Sequence, residues 1–414
     1  MQTFGKSIRC AGGLGLALLF SASAAGMTQE ITARFRPDPG NPMVNKFENT
    51  TPISSICNDH IPARCKALNI FSLRENAFEA FANAPIEANH ESERQGFMVK
   101  VPSTWRPLDV VHTKTGETKR VEMRVAGVGG LWFIPRFPGV SAWLQPGVSY
   151  WGSQWRNAPS PCQSTNHLAA GVNFASFFWL TPDGAGPCSR KPSETLATLR
   201  FATLEYAYEL KTPDPLGMST GQYVGSITYS VGPGGDYDFG DVIIPTDNSI
   251  TFNFTLDVEH ALKVEIPPGG HRIELLPQGG WQAWLNQGRK PVRLFRDQTF
   301  NVSASSRFKM QLECQYATSN TCALRDAESG RFVPLNISVS LPHGLGDASG
   351  APVSRQPLLL DGSGTELFQP TFYVDRKPGT LHFEITKENV DQMLEEGVAK
   401  TYSGAVTVIW DSEI

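Results

Sequence analysis

The stretch "SITFNFTLDV", Ser249 to Val258, constrains this chain most. Ile250, Phe252, Phe254, Leu256 and Val258 share one face of an extended backbone, and the residues between them share the other. A period of two suits a half-buried strand and cannot form the apolar stripe of a helix. Runs of the same kind recur in "GFMVKVPSTW", "KRVEMRVAGV", "ATLRFATLEYAYEL" and "GQYVGSITYSV". The 38 glycines and 30 prolines fall mostly between such runs, where they mark turns and not a low-complexity tract. The expected fold class is therefore all-β, of sandwich type. Two short helices are expected as exceptions, "RENAFEAFANAPIEA" and "TKENVDQMLEEGVA", the second with Thr386 as N-cap.

At 414 residues the chain exceeds one ordinary core, and two domains are expected. Residues 1–25 read as a secretory signal peptide: Lys6 and Arg9 precede an apolar run from Ala11 to Phe20, and "SASAAG" supplies small residues for cleavage near Ala25. No later segment approaches the ~20 apolar residues of a membrane span, so no membrane insertion is expected. "SITFNFTLDV" reads as the last strand of a first unit, 26–258, and "ALKVEIPPGGHRIELLPQGG" opens a second, 259–414, about the size of one immunoglobulin-like sandwich. Beyond the signal region stand six cysteines, whose clustering favours Cys57–Cys65, Cys162–Cys188 and Cys314–Cys322. Such bonds persist in oxidising compartments.

Several functions are disfavoured. A net charge of −4 with mixed signs gives no basic block for nucleic acid. Cysteines and histidines lack metal-ligand spacing, so neither metal nor cofactor is expected. "DYDFGD" offers Asp236, Asp238 and Asp241 but no bidentate acid at a calcium-loop offset, and it reads as a turn. No G-x-S-x-G elbow or H-E-x-x-H helix occurs. A pair of carboxylates for glycoside hydrolysis could lie far apart in sequence, which keeps a secreted carbohydrate-active enzyme as the alternative from another class. The reading adopted is not an enzyme.

The last stretch, "TYSGAVTVIWDSEI", raises a question of pairing. Tyr402, Gly404, Val406, Val408 and Trp410 alternate on one face, yet no later run supplies a neighbouring strand. An exposed apolar edge invites aggregation, and one solution is a strand donated by another chain. This ending resembles that of pilin subunits in bacterial chaperone–usher systems. "GQYVGSITYSV", "SITFNFTLDV", "KVEIPPGGHRIELLPQGG", "MQLECQYATSN" and "KTYSGAVTVIWDSEI", in that order, resemble the class 5 (alpha-type) colonisation-factor tip adhesins and pilus initiators. The likeness covers the second half of the chain well and the first half loosely.

The resemblance implies two tandem immunoglobulin-like sandwiches, the C-terminal one incomplete and completed by a donated strand. It implies a fimbrial tip adhesin whose first domain binds a host-surface receptor, commonly a glycan. The implied partners are a periplasmic pilus chaperone, an outer-membrane usher and an adjacent pilin, with passage through the periplasm to the fimbrial tip. A structural minor pilin or initiator without receptor binding is the nearer alternative. The mature start, "GMTQEITARFRPDPGNP", offers only a short alternation before its prolines, which disfavours a strand-donating shaft subunit.

Receptor residues are expected in "LWFIPRFPGVSAWLQPGVSYWGSQWR", Leu131 to Arg156, where aromatics meet arginines beside Pro/Gly turns. Arg136, Trp143, Tyr150, Trp151, Trp155 and Arg156 are the candidates, against the general tendency of tryptophan to fill cores. The basic pair that the colonisation-factor adhesins carry after their counterpart of "GQYVGSITYSV" is replaced here by "GPGGDYDFGD", so that part of the family's binding patch does not transfer.

Overall fold

A computed structural model describes residues 26–144, 153–395 and 401–412. The expected signal peptide and the candidates Tyr150 and Trp151 lie outside the described residues. The chain is mostly β, 47% strand against 10% helix, with curled sheets, which settles the class.

The first unit is organised by β1 (Gly26–Phe35), β2 (Arg106–His112), β3 (Thr118–Phe133), β4 (Phe174–Leu180), β5 (Arg200–Lys211), β6 (Gly221–Ser230) and β7 (Ser249–Val258), with Gln163–Ala170 paired outside β4. They pair in the order β5-β3-β2-β6-β7-β1, with β4 also on β3. The alternation in "SITFNFTLDV" is realised residue by residue, since Ile250, Phe252, Phe254, Leu256 and Val258 are all buried. β7 pairs β6 antiparallel and β1 parallel over its full length, from Gly26↔Ser249 to Phe35↔Val258. Met27, Ile31, Ala33 and Phe35 of β1 are thereby buried in the unit's own core. The strand ends just before Pro37, whose missing N–H cannot continue a ladder.

The expected helix at 74–88 is not formed. Phe71–Glu75 and Ala80–Ala82 are strands instead, the second held between β5 and Ile243–Pro245. Phe78 and Ala80 are fully buried there, so tertiary burial overrides a locally helix-prone composition. The helix Lys387–Met393 forms with Thr386 at its N-cap, although the Thr386 hydroxyl accepts from Asn389 Nδ2 (3.1 Å) and not from a backbone N–H.

β7 ends at Val258 and the next strand, β8 (Leu262–Glu265), begins the second unit. Among the described residues every ladder lies wholly on one side of this point, and the two main apolar clusters divide there too. At the junction the His260 ring bonds Met218 O at 2.9 Å and Ser305 Oγ at 3.1 Å. Strands β9 (Leu294–Ala304), β10 (Lys309–Cys314), β11 (Thr321–Asp326), β12 (Phe332–Ser340), β13 (Val374–Ile385), β14 (Tyr402–Ser403) and β15 (Val406–Asp411) follow, beside four shorter strands at 317–318, 345–347, 356–357 and 368–370. One sheet runs β8-β9-β13-β12-β11, with β14 on β11; among the described residues β10 and β15 pair with each other in a separate sheet, and Leu345–Asp347 pairs Phe368–Pro370 in a third.

The three disulfides pair locally as the spacing suggests: Cys57–Cys65, Cys162–Cys188 and Cys314–Cys322. In the chain-entropy picture, separations of 8, 26 and 8 residues correspond to about 2.5, 3.5 and 2.5 kcal/mol. The first closes a small helical hairpin, Ile56–Asp59 and Pro62–Leu68, against the sheet.

Candidate functional site

The last strand is built differently from the sequence expectation. Tyr402 and Gly404 do not continue the strand of Val406, Val408 and Trp410. β14 pairs Asp326↔Tyr402 in one sheet, the chain crosses at Gly404–Ala405, and β15 pairs β10 in the other. Gln315 secures the crossing, its N–H donating to Ala405 O (2.9 Å) and its side-chain oxygen accepting from Ala405 N (3.1 Å). A Cβ on Gly404 would stand 3.1 Å from Ala323 O, so the close approach favours glycine.

β15 is paired along one edge, from Lys309↔Asp411 to Cys314↔Val406, and a Lys309–Asp411 ion pair of 3.1 Å closes its end. No strand pairs with its other edge among the described residues. A cavity of about 320 Å³ opens beside that edge. Val406, Val408 and Trp410 form one wall, while Val264, Ile273 and Leu275 form another. Phe300, Leu381 and Phe383 lie deeper, and the Trp410 ring stands 5.0 Å from that of Phe300. In β7 the residues facing the core are buried; in β15 Val406, Val408 and Trp410 face the core yet remain half-buried. This is a strand whose inner face is left uncovered.

The receptor candidates separate by burial. Trp143 and Trp155 are 2% and 0% exposed and sit in the first unit's core, which corrects the expectation that they present stacking faces. Trp155 stacks on Trp179 at 5.6 Å and stands 4.9 Å from Trp132 and 5.0 Å from Trp143. Burying so much apolar area outweighs any surface role in the isolated fold. Arg136 and Arg156 do reach the surface, Arg136 beside Phe137, whose side chain is 86% exposed. The acidic turn is committed to pairing: Arg94 holds Asp238 (2.8 Å) and Asp241 (2.6 Å), and Arg106 holds Asp236 (3.1 Å).

Two arrangements were not legible in the sequence. On adjacent strands of the second unit, His382 Nε2 lies 2.9 Å from Ser340 Oγ and Nδ1 lies 2.7 Å from Asp297. This row resembles a hydrolase triad in its distances. However, Asp297 and His382 are simple ladder partners, Ser340 ends a regular strand, and its Oγ already accepts the Arg355 N–H (3.0 Å). It clamps the Arg355 segment to the sheet and lacks the strained elbow of an activated nucleophile.

The second is a histidine pair. His60, after the disulfide-closed hairpin's first helix, contacts His167 with ring centroids 4.1 Å apart. Burial, then the neighbouring His60 and Arg74, pull His167 down to about 4, with Asp59 opposing. The unfolded histidine titrates near ~6.5, so between these values the unfolded chain binds a proton that the folded one refuses. Stability from this group is full above pH ~6.5 and is lost as pH falls toward 4. Melting temperatures measured over that range should fall with pH, and His167→Gln should flatten the slope; parallel slopes would exclude His167 as the cause.

No protein-family model matches this chain, and no curated protein matches it. Solved structures do. A chaperone–tip adhesin complex of CFA/I fimbriae biogenesis aligns at 10% identity and TM-score 0.27, covering 94% of this chain and 97% of the other. CfaE, the adhesive subunit of CFA/I fimbria of enterotoxigenic Escherichia coli, aligns at 11% identity and TM-score 0.26, covering 93% and 92%. The CsuC–CsuE chaperone–tip adhesion subunit pre-assembly complex of Acinetobacter baumannii aligns at 9% identity and TM-score 0.22, covering 94% and 99%. Scores of this size carry no argument about function. The solved structures to which this chain is similar are fimbrial tip adhesins and chaperone–tip adhesin complexes.

Proposed function

We propose that this chain is the tip subunit of a chaperone–usher fimbria. Its C-terminal domain, 259–414, accepts a β-strand along the open edge of β15, first from a periplasmic chaperone and then from an adjacent pilin delivered by an outer-membrane usher. Its N-terminal domain, 26–258, binds a host-surface receptor, a glycan. The chain would pass through the periplasm and act at the fimbrial tip; no catalytic role is proposed.

The observation that carries this reading is the uncovered inner face of β15 above an apolar cavity. Main-chain bonds to its free edge would supply affinity, and alternate side chains entering the cavity would supply specificity. A second observation supports the terminal position. The alternating stretch Gly26–Phe35 is already a strand of its own unit, so it is not free to complete a neighbour. The burial of Trp143 and Trp155 removes two receptor candidates, which favours the non-binding initiator as the second reading.

Periplasmic co-expression with a pilus chaperone should yield a stable one-to-one complex. Val408→Lys, which places a charge on the inner face, should abolish it. A complex that survives Val408→Lys, or that never forms with any chaperone from the same fimbrial gene cluster, would count against strand acceptance.

A further inference from the structure

Among the described residues the two main apolar clusters stay apart, so hydrophobic burial does little to fix one unit against the other. Contacts of that kind leave relative motion as the default. His260 works against it. It stands between β7 and β8 and reaches both units. Ring nitrogen Nε2 lies 2.9 Å from Met218 O in the first, and Nδ1 lies 3.1 Å from Ser305 Oγ in the second. Its ring also stands edge to face with Phe35 at 5.5 Å. Both partners are firmly held. Met218 is 2% exposed, and its loop is tied down by Lys119 Nζ on Gly217 O (2.8 Å) and by Ser219 N on Glu117 (3.1 Å). A second hydrogen bond between the units, from the Tyr373 N–H to Pro42 O at 3.2 Å, lies on a segment whose Met43 and Val44 are exposed.

These bonds fix the protonation of the ring. Met218 O is a carbonyl and can only accept, so Nε2 carries a hydrogen. In the neutral imidazole Nδ1 is then bare, and it accepts the hydrogen of the Ser305 hydroxyl. The same Ser305 oxygen accepts the Ala261 N–H at 2.9 Å, and Ser305 N–H donates to Ala261 O at 2.9 Å. Each donor in the chain meets an acceptor. A second proton, on Nδ1, would break the link at Ser305. Its hydroxyl hydrogen would be turned away from the ring inside a fully buried site, at the cost of an unmatched donor. Burial itself lowers the ring's affinity for that proton most; the Met218 carbonyl opposes, Arg307 adds to the lowering, and Pro215 O and Asp214 oppose it. Glu259, the adjacent carboxylate, is engaged by Arg36 (2.8 Å) and Arg34 (3.7 Å).

We infer that His260 is the pin that holds the two units in one orientation, and that a second proton on its ring releases them. A histidine freed from the junction takes up that proton near pH ~6.5, as an ordinary imidazole does. The pinned ring refuses it. The pinned arrangement is therefore complete above that pH and is lost as pH falls below it. The inference stands apart from what either unit binds, because it rests only on the bonds at the junction.

Spin labels on Lys114→Cys and Glu328→Cys, exposed positions with one in each unit, would report the spread of distances between the units of the exported chain. The distance distribution should be narrow at pH 8 and about twice as wide at pH 5. His260→Ala should give the wide distribution at both values. His260→Gln, whose amide can donate to Met218 O and accept from Ser305 without titrating, should stay narrow at both. A narrow distribution from His260→Ala at pH 8 would overturn the pin. An unchanged wild type at pH 5 would overturn the release, and so would His260→Gln widening as much as the wild type, since another group would then be responsible. If His260→Ala does not fold, Ser305→Ala removes the hydroxyl alone and should widen the distribution at pH 8; normal width there would equally overturn the pin.

Discussion

A donor strand joined by a flexible linker to the C-terminal end of this sequence should raise the melting temperature of the second unit by about 10–15 °C. The gain comes from the cavity beside β15, where Val406, Val408, Trp410, Val264 and Leu275 stand half-covered. Three or four apolar side chains entering it would gain roughly 1.5–3 kcal/mol each before the cost of ordering the donor. A net gain of ~4–5 kcal/mol in a unit of this size shifts melting by the amount stated. The same peptide with aspartate at its inward positions should give no gain. Equal melting for the linked, aspartate-bearing and unlinked proteins would mean that β15 needs no partner, and the tip-subunit reading would fall with it.

Trp155→Ala should destabilise the first unit by about 3–5 kcal/mol, as other buried large-to-small changes do. Its ring has no exposure and packs against Phe97, Trp132, Trp143, Phe177 and Trp179, so truncation leaves a void that several rigid rings cannot close. Melting should drop by roughly 10 °C or more. Receptor binding by such a variant would be lost through the fold, so binding and unfolding need to be measured together. Phe137→Ser, by contrast, should leave melting unchanged because that side chain is already in solvent. Normal melting of Trp155→Ala would contradict the packing described here.

What could be read from the sequence was what local pattern controls. Ser249–Val258 could be read because a strand with one buried face must alternate, and Gly/Pro punctuation sets where it stops. The three disulfides could be read because each pair is near in sequence and closes its own loop. Failures came where long-range packing decides. Ala- and Glu-rich 74–88 favours helix by itself, but Phe78 is drawn into a core whose other members are remote in sequence, including Phe201 and Phe239. Whether Trp143 and Trp155 face in or out depends on the path between β3 and β4, which no period encodes. The sheet change at Gly404 was hidden because both halves of the closing stretch alternate in the same phase.

The placement of β7 has a mechanical consequence. It is the strand through which the first unit joins the rest of the chain, and it is flanked by β1 on one side and β6 on the other along its whole length. A tension applied between the first unit and the chain beyond Val258 would enter along the axis of β7. Ladder bonds run across that axis. They would be loaded together, in shear, instead of being peeled open one at a time from an end. Pulling on that end of the strand would therefore meet the ladders of both neighbours at once.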